Sequence, residues 1–403
     1  MGFFERLSAD WLVLLIPLFS AFVGWFTNVI AIRMMFYPTE FRGIRPFLGW
    51  QGIVPANAQR LAKMSTRLIL TKLLSLEELF ASFKGEEFAD ELDQVVEEIT
   101  EQVIDEVATK RAPEMWKNAG EFMQQQIRDQ VKEEVRKVAV QIVDDFSENI
   151  TDILDLEKVV LEAVEEDKEL MSMMFLQVGS QEFKFIENSG IWFGFLFGVI
   201  QMVIWLYAPA DWVLPAAGFF VGYATNWVAL KLIFNPREPK KVGPFTLQGV
   251  FHKRQREVSR EFSKLTAGKV LNADNITKTV TTGKTAERIF EIVDEHVNAL
   301  IEKYLQHPMA AMLLPEDERE PLRQELTQRI RDELPKEGGL LHTFAGKAVD
   351  IKHELNHRME QLPPDEFEGV LRPAFQQDEW KLILAGAALG LAAGVLQLVY
   401  VFS

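Results

Sequence analysis

The sequence predicts an all-α, four-span integral membrane protein made of two tandem parallel repeats, each a helix, an amphipathic helical stalk and a second helix. Three observations predict it. A signature occurs twice: Pro17, Phe22, Val23, Gly24, Thr27, Asn28, Ala31, Arg33, Phe36, Pro38 and Glu40 return, 198 positions later, as Pro215, Phe220, Val221, Gly222, Thr225, Asn226, Ala229, Lys231, Phe234, Pro236 and Glu238. Four runs are apolar over about 20 residues, enough for a helix to cross roughly 30 Å of hydrocarbon. The chain between them is acidic, with 14 Lys and Arg against 30 Asp and Glu from Leu61 to Ser189.

Whole-chain averages conceal this pattern. At 403 residues, 48% hydrophobic, with a mean hydropathy near zero, the composition alone suits a soluble two-domain protein equally well. The net charge of -16 argues against a nucleic-acid surface. The absence of Cys excludes disulfides, thiolate metal sites and cysteine nucleophiles.

Residues 1–10 form a short head carrying Glu5, Arg6 and Asp10. The first span, 11–36, is uncharged from Trp11 to Ile32; it is too long for a cleaved signal peptide and lacks a strongly basic start, so it reads as retained. Gly24, Thr27, Asn28 and Ala31 are spaced i, i+3, i+4, i+7 and share one helix face, as do Gly222, Thr225, Asn226 and Ala229. Small and weakly polar residues on one face let membrane helices approach and hydrogen-bond, which suits a packing seam better than a binding site. A pseudo-twofold axis along the membrane normal predicts that the two signature faces meet at the centre, Asn28 opposite the region of Asn226.

Residues 37–60, rich in Pro, Gly and aromatics, read as an irregular segment at headgroup level, anchored by Arg42, Arg45 and Trp50, or as a turn that redirects the chain. Residues 61–189 read as the first stalk. Ser75 with Glu78 suggests a capping box, and two stripes follow: Phe88, Leu92, Val95, Ile99, Val103 and Val107, then Met123 through Val135, Ile142 and Phe146 to Ile153. The second stripe steps by about 3.75 residues, which predicts nearly straight or slightly right-handed packing rather than a left-handed coiled coil. The second span, 190–208, is followed after Pro209, Ala210 and Asp211 by the third, 212–235, so the two form a tight hairpin. A basic interfacial segment, 236–256, leads to the second stalk, 257–379, with Ile289, Val293, Val297, Leu300 and Tyr304 in register and several prolines cutting it into shorter helices. In the fourth span, 380–402, Gly390, Gly394, Val395, Gln397 and Val399 repeat Gly194, Gly198, Val199, Gln201 and Val203.

Two spans per repeat give both copies the same orientation. Arg33, Arg42, Arg45, Lys231, Arg237, Lys240 and Lys241 flank the stalk side, against Arg6 on the other, which predicts cytoplasmic stalks on a multi-pass protein of the cell inner membrane. Gly24-Trp25-Phe26-Thr27-Asn28-Val29-Ile30-Ala31-Ile32 with Phe36-Tyr37-Pro38, its second copy, and the closing helix ending in Val395-Leu396-Gln397 resemble the bacterial membrane family catalogued as domain of unknown function 445. The resemblance covers nearly the whole chain. It implies a multi-pass cell-membrane protein and brings neither a reaction nor catalytic residues. The second copy departs from the first at Tyr223-Ala224 and Trp227-Val228, leaving the fixed positions intact.

Three stretches resemble chemical motifs. His353-Glu354-Leu355-Asn356-His357 has the form in which two imidazoles one turn apart hold zinc and a glutamate activates water, with Glu366, Glu368 or Glu379 as a third ligand. Lys352 and Arg358 add positive charge beside it, and Lys158 occupies the place of His353 in the first copy, so a solvated helix face explains it better. Gly283-Lys284-Thr285 lacks the upstream glycine and strand of a phosphate loop, Lys278 standing where the glycine belongs. Glu165-Glu166-Asp167 lacks the alternating oxygen ligands and glycine of a calcium loop. The reading is a non-catalytic scaffold or membrane-organising protein without a cofactor, in contact with membrane lipids and offering its acidic stalks to another membrane or cytoplasmic protein. The alternatives are lipid or solute handling through the central helix seam, and a membrane-anchored zinc metallopeptidase.

Overall fold

The computed structural model describes residues 11–401 except 45–47, 74, 82–84, 89, 91, 306–315, 348–350, 373–375 and 377–378. The head 1–10, Arg45 and the prolines at 308 and 315 therefore lie outside the described residues. The chain is almost entirely helical, and its contacts divide into a membrane unit (Met1–Ile69, Val164–Ser263, Asn356–Ser403) and a connector unit (Leu70–Ala163, Lys264–Leu355).

The membrane unit contains four helices long and apolar enough to cross a bilayer. The first spanning helix is Leu15–Phe36, entered through a 3-10 turn at Trp11–Leu14; the others are Ser180–Tyr207, Val213–Phe234 and Glu379–Val401. The second begins at Ser180 rather than at 190, because its first turns bury Glu182, Phe183 and Ile186 instead of running free as a stalk end. The turn between the second and third helices is short, and Val13, Ile16, Met202, Trp205, Leu206, Val213 and Leu214 close an apolar cluster beside it. Outward positions carry large apolar side chains such as Phe22, Trp192, Phe220, Leu396 and Tyr400, as lipid contact requires.

The segment after each signature helix is regular rather than irregular. Arg42–Ile44 pairs antiparallel with Leu48–Trp50, and Lys240–Val242 with Phe245–Leu247. Each hairpin is clamped to its helix end by the same bonds. Gly52 N–H donates to Pro38 O at 2.9 Å and Gly249 N–H to Pro236 O at 2.9 Å; Gln51 Nε2 reaches Thr39 O at 2.9 Å and Gln248 Nε2 reaches Arg237 O at 3.2 Å. A side chain at Gly52 would strike the backbone of Phe36 and Tyr37. The prolines, glutamines and glycines of the repeated signature thus fold a compact joint, and helix resumes at Ile53 and Val250.

The two connectors do not form two stalks; they interleave in one helical unit. The long helix Gly120–Glu148 packs against both Asp93–Ile104 of its own connector and Lys284–Leu305 of the other. Its stripe is buried from Val135 through Ile142 and Phe146 to Ile153, whereas Met123 is exposed. Phe344 of the second connector meets Phe80 and Phe146 of the first at ring distances of 5.3 and 5.8 Å. Charge pairing reinforces the union: buried Glu106 takes Lys110 and Arg329, Lys303 meets Glu134 at 2.7 Å, and His296 meets Asp145 at 2.7 Å. Apolar stripes on both connectors can be buried against each other, which a pair of separate stalks would leave half wet. Ser75 does cap its helix, accepting from Glu78 N–H at 3.2 Å.

Candidate functional site at the helix faces and their connector-side ends

The signature faces are buried, but they do not face one another. Gly24 lies against Gly190 of the second helix, where an added Cβ would come within 2.3 Å of Gly190 O; Gly222 lies against Gly386 of the fourth, with 2.1 Å to Gly386 O. Gly194 and Gly198 continue the first contact along Ser20 and Pro17, and Gly390 and Gly394 the second along Gly218 and Leu214. Each signature helix therefore packs on the closing helix of its own half. The expected central meeting of Asn28 with Asn226 is replaced by two lateral seams, because glycines on both partners permit backbone contact that two faces bearing Asn and Thr do not.

The asparagines complete these seams. Asn28 Nδ2 donates to Ile186 O at 2.6 Å, and Asn226 Nδ2 to Leu382 O at 2.9 Å. Thr27 and Thr225 turn their hydroxyls back to carbonyls of their own helices, and Ala31 and Ala229 fill the next turn. Both Asn Oδ1 atoms are buried without a partner, so the pair acts as donors to helix carbonyls, as interhelical glue does. The first half adds a side-chain pair, Ser20 Oγ to Gln201 Oε1 at 2.9 Å, with Gln201 Nε2 left unpartnered; the described residues of the second half show no such pair across their seam.

Two ion clusters form at the connector-side ends of the helices; of their residues the sequence singles out only Glu368, as a third metal ligand, and Arg237, as a flanking cation, and it does not bring the two together. Glu182, 4% exposed, accepts two bonds from Arg254 Nη1 at 2.7 and 2.8 Å, while Arg254 Nε reaches Glu257. Glu368, 2% exposed, accepts from Arg237 Nε at 2.6 Å and from Arg372. His252 lies 3.5 Å from Glu368, its Nε2 3.2 Å from Phe234 O and its Nδ1 buried without a partner. Burial holds the His252 imidazole below its ordinary range. The carboxylate beside it would raise it, but Glu368 is already matched by two guanidiniums, whose own charge pushes the same way as burial. The signal in the sequence was a carboxylate set directly beside a phenylalanine, Glu182 before Phe183 and Glu368 after Phe367; a carboxylate that folds inward must find a cation.

The weak metal candidate takes another form. His353 and His357 are exposed on the helix Ile351–Gln361 while Leu355 and Met359 face inward, and Gln361 Nε2 lies 2.8 Å from His357 Nε2. Glu368 is committed to its arginines, and among the described residues no three His, Asp or Glu converge to hold an ion. Of the basic flank, Arg33, Arg42, Lys231, Arg237, Lys240 and Lys241 are all exposed, and Arg45 lies outside the described residues. Among the described residues, Arg237 alone of these has an ion-pair partner, Glu368.

Comparison with known proteins gives local matches. The chain is 42% identical over 78 residues to a UPF0754 membrane protein of Gloeothece citriformis, 42% over 76 residues to one of Synechococcus sp., and 38% over 71 residues to one of Nostoc sp.. Each match covers 17 or 18% of this chain and 17 or 18% of the relative, so the chain spans under a fifth of the length of the curated relatives it matches. No family model matches the chain, and no solved structure does. With four apolar helices of spanning length and relatives named as membrane proteins, the chain is a membrane protein.

Proposed function

We propose that this protein is a non-catalytic scaffold of the cell inner membrane, built from two tandem parallel repeats, with its connector unit in the cytoplasm. The observation that carries the reading is a set of exposed apolar side chains where the short helix Pro113–Asn118 leads into the long connector helix: Met115 is 57% exposed, Phe122 77% and Met123 48%, on a unit whose buried carboxylate Glu106 is spent on internal pairing. Exposed apolar side chains of this kind on an acidic unit suit a protein partner better than a small substrate. The resemblance to domain of unknown function 445 agrees with a membrane role without a reaction, and the exposed basic hairpins agree with anchoring at a cytoplasmic headgroup layer.

The test is a photo-crosslinking amino acid placed at Phe122 in cells. A discrete protein adduct, lost when Met115 and Met123 are replaced by Ser, is the expected result; adducts to lipid alone would defeat the scaffold reading. Reporters fused after Phe175 and Glu368 should both register in the cytoplasm, and a periplasmic signal from either reverses the orientation.

A further inference from the structure

Each hairpin that follows a signature helix is two-sided. Side chains alternate across a strand and cross-strand partners share a face, so Arg42, Ile44 and Trp50 lie together on the first hairpin, with Gly43 and Gly49 opposite. On the second, Lys240 and Leu247 are partners on one face, and Lys241 and Thr246 on the other. Leu247 stands where the first copy has Trp50, each directly before the Gln-Gly pair that clamps the hairpin. In both copies a cation therefore shares one face with a large apolar residue.

That face is turned toward the spanning helix. Trp50 Nε1 donates to Met34 O at 3.1 Å, two residues before the helix ends at Phe36, so the side bearing Trp50 looks back along the helix. The matching clamp, Gly249 N–H on Pro236 O, sets the second hairpin on its helix in the same way and gives Leu247 the same aspect. Three strand residues extend only about 10 Å, so each hairpin stays near the helix end, where hydrocarbon gives way to headgroups. Ile44 is 74% exposed, Leu247 49%, and Tyr37 at the first helix end 51%. Arg42 and Lys240 are exposed, and neither has a carboxylate at ion-pair distance among the described residues. Lipid already covers the outward apolar side chains of the helices to which the hairpins are clamped, and its phosphates complement the two cations. We propose that both hairpins lie in the headgroup layer, with Ile44 and Leu247 dipping among the upper acyl chains and Arg42 and Lys240 drawing anionic lipid to them. Such anchoring rests on the membrane reading above, but needs neither its scaffold role nor its orientation.

Because the chain has no cysteine, a single label can be placed by Ile44→Cys, Leu247→Cys or Thr246→Cys in the full protein, reconstituted in vesicles of phosphatidylglycerol and phosphatidylcholine. All three side chains are exposed, so the substitutions leave the packing intact. With a nitroxide label, collision with oxygen, which concentrates among acyl chains, should dominate at Ile44 and Leu247. Collision with a water-soluble nickel chelate should dominate at Thr246. With a fluorophore at Leu247, spin-labelled phosphatidylglycerol should quench more than spin-labelled phosphatidylcholine. Lys240→Gln should lower that enrichment about fivefold, the worth of one basic residue at an anionic surface, and Arg42→Gln should do the same at Ile44. Labels at Ile44 and Leu247 that meet the chelate freely lie in water and overturn the proposal. Labels there that meet neither reagent are covered by protein, and a Thr246 label that matches Leu247 removes the two-sided arrangement; either result overturns it too. Equal quenching by the two lipids overturns the role of the cations. None of these outcomes alters the Phe122 adduct that tests the scaffold reading.

Discussion

The two halves of the membrane unit make the same backbone contacts with different side chains. Glycine meets glycine at Gly24 and Gly190, and again at Gly222 and Gly386; an asparagine amide closes each seam on a carbonyl of the partner helix. Away from these contacts the halves diverge. Ser20 bonds Gln201 in the first, whereas Gly218 occupies the corresponding position in the second. Pro55 stands where the second half has His252, and the first half buries an unpartnered Ser172 where the second assembles Glu368 with Arg237 and Arg372. The seam is fixed by atoms every residue carries once glycine lets them meet, so the chemistry at the helix ends is free to change without altering the fold.

The comparison breaks most severely at the glycines. Gly222→Leu and Gly24→Leu place a side chain into backbone that cannot move aside, a cost of about 3 kcal/mol or more, and each should abolish the monodisperse folded protein in size-exclusion chromatography. Equal damage in the two halves is expected; tolerance in one would show that its seam is not set by glycine contact. The next effect is confined to the second half. Glu368→Ala strips Arg237 of its carboxylate and leaves Arg372 only the more distant Glu379, and should lower stability by roughly 2 kcal/mol in thermal denaturation, whereas Ser172→Ala, which removes a hydroxyl without a partner, should be near neutral.

His252 gives the second half a pH dependence that Pro55 cannot supply. Its pKa is depressed on folding, so below the ordinary value of 6.5 the unfolded chain takes up a proton that the folded one resists. The contribution is complete above that pH and is lost as pH falls further; His252→Gln should flatten the stability profile between roughly pH 7 and 5. The smallest effects separate shared from private bonds. Asn28→Ala and Asn226→Ala should each cost about 1 kcal/mol, and Ser20→Ala roughly 0.6 kcal/mol with no counterpart in the other half, all measurable by unfolding in mixed micelles.

The sequence by itself determined the fold class and the four spans, because hydrophobic length and the recurrence of Gly24, Thr27 and Asn28 as Gly222, Thr225 and Asn226 are properties of single helices and survive without knowledge of neighbours. It also marked which helix faces are buried, since small residues at i, i+3, i+4 and i+7 share a side whatever they touch. Which faces meet was decided only in three dimensions. The signature gave no way to choose between its own copy and the glycines of the closing helix, and backbone contact between glycines settled the choice. The union of the connectors and the pairing of Glu182 with Arg254 and Glu368 with Arg237 were likewise tertiary decisions: a stripe or a charge states a demand for a partner, and residues 72 or 131 positions away meet it only once the chain has folded.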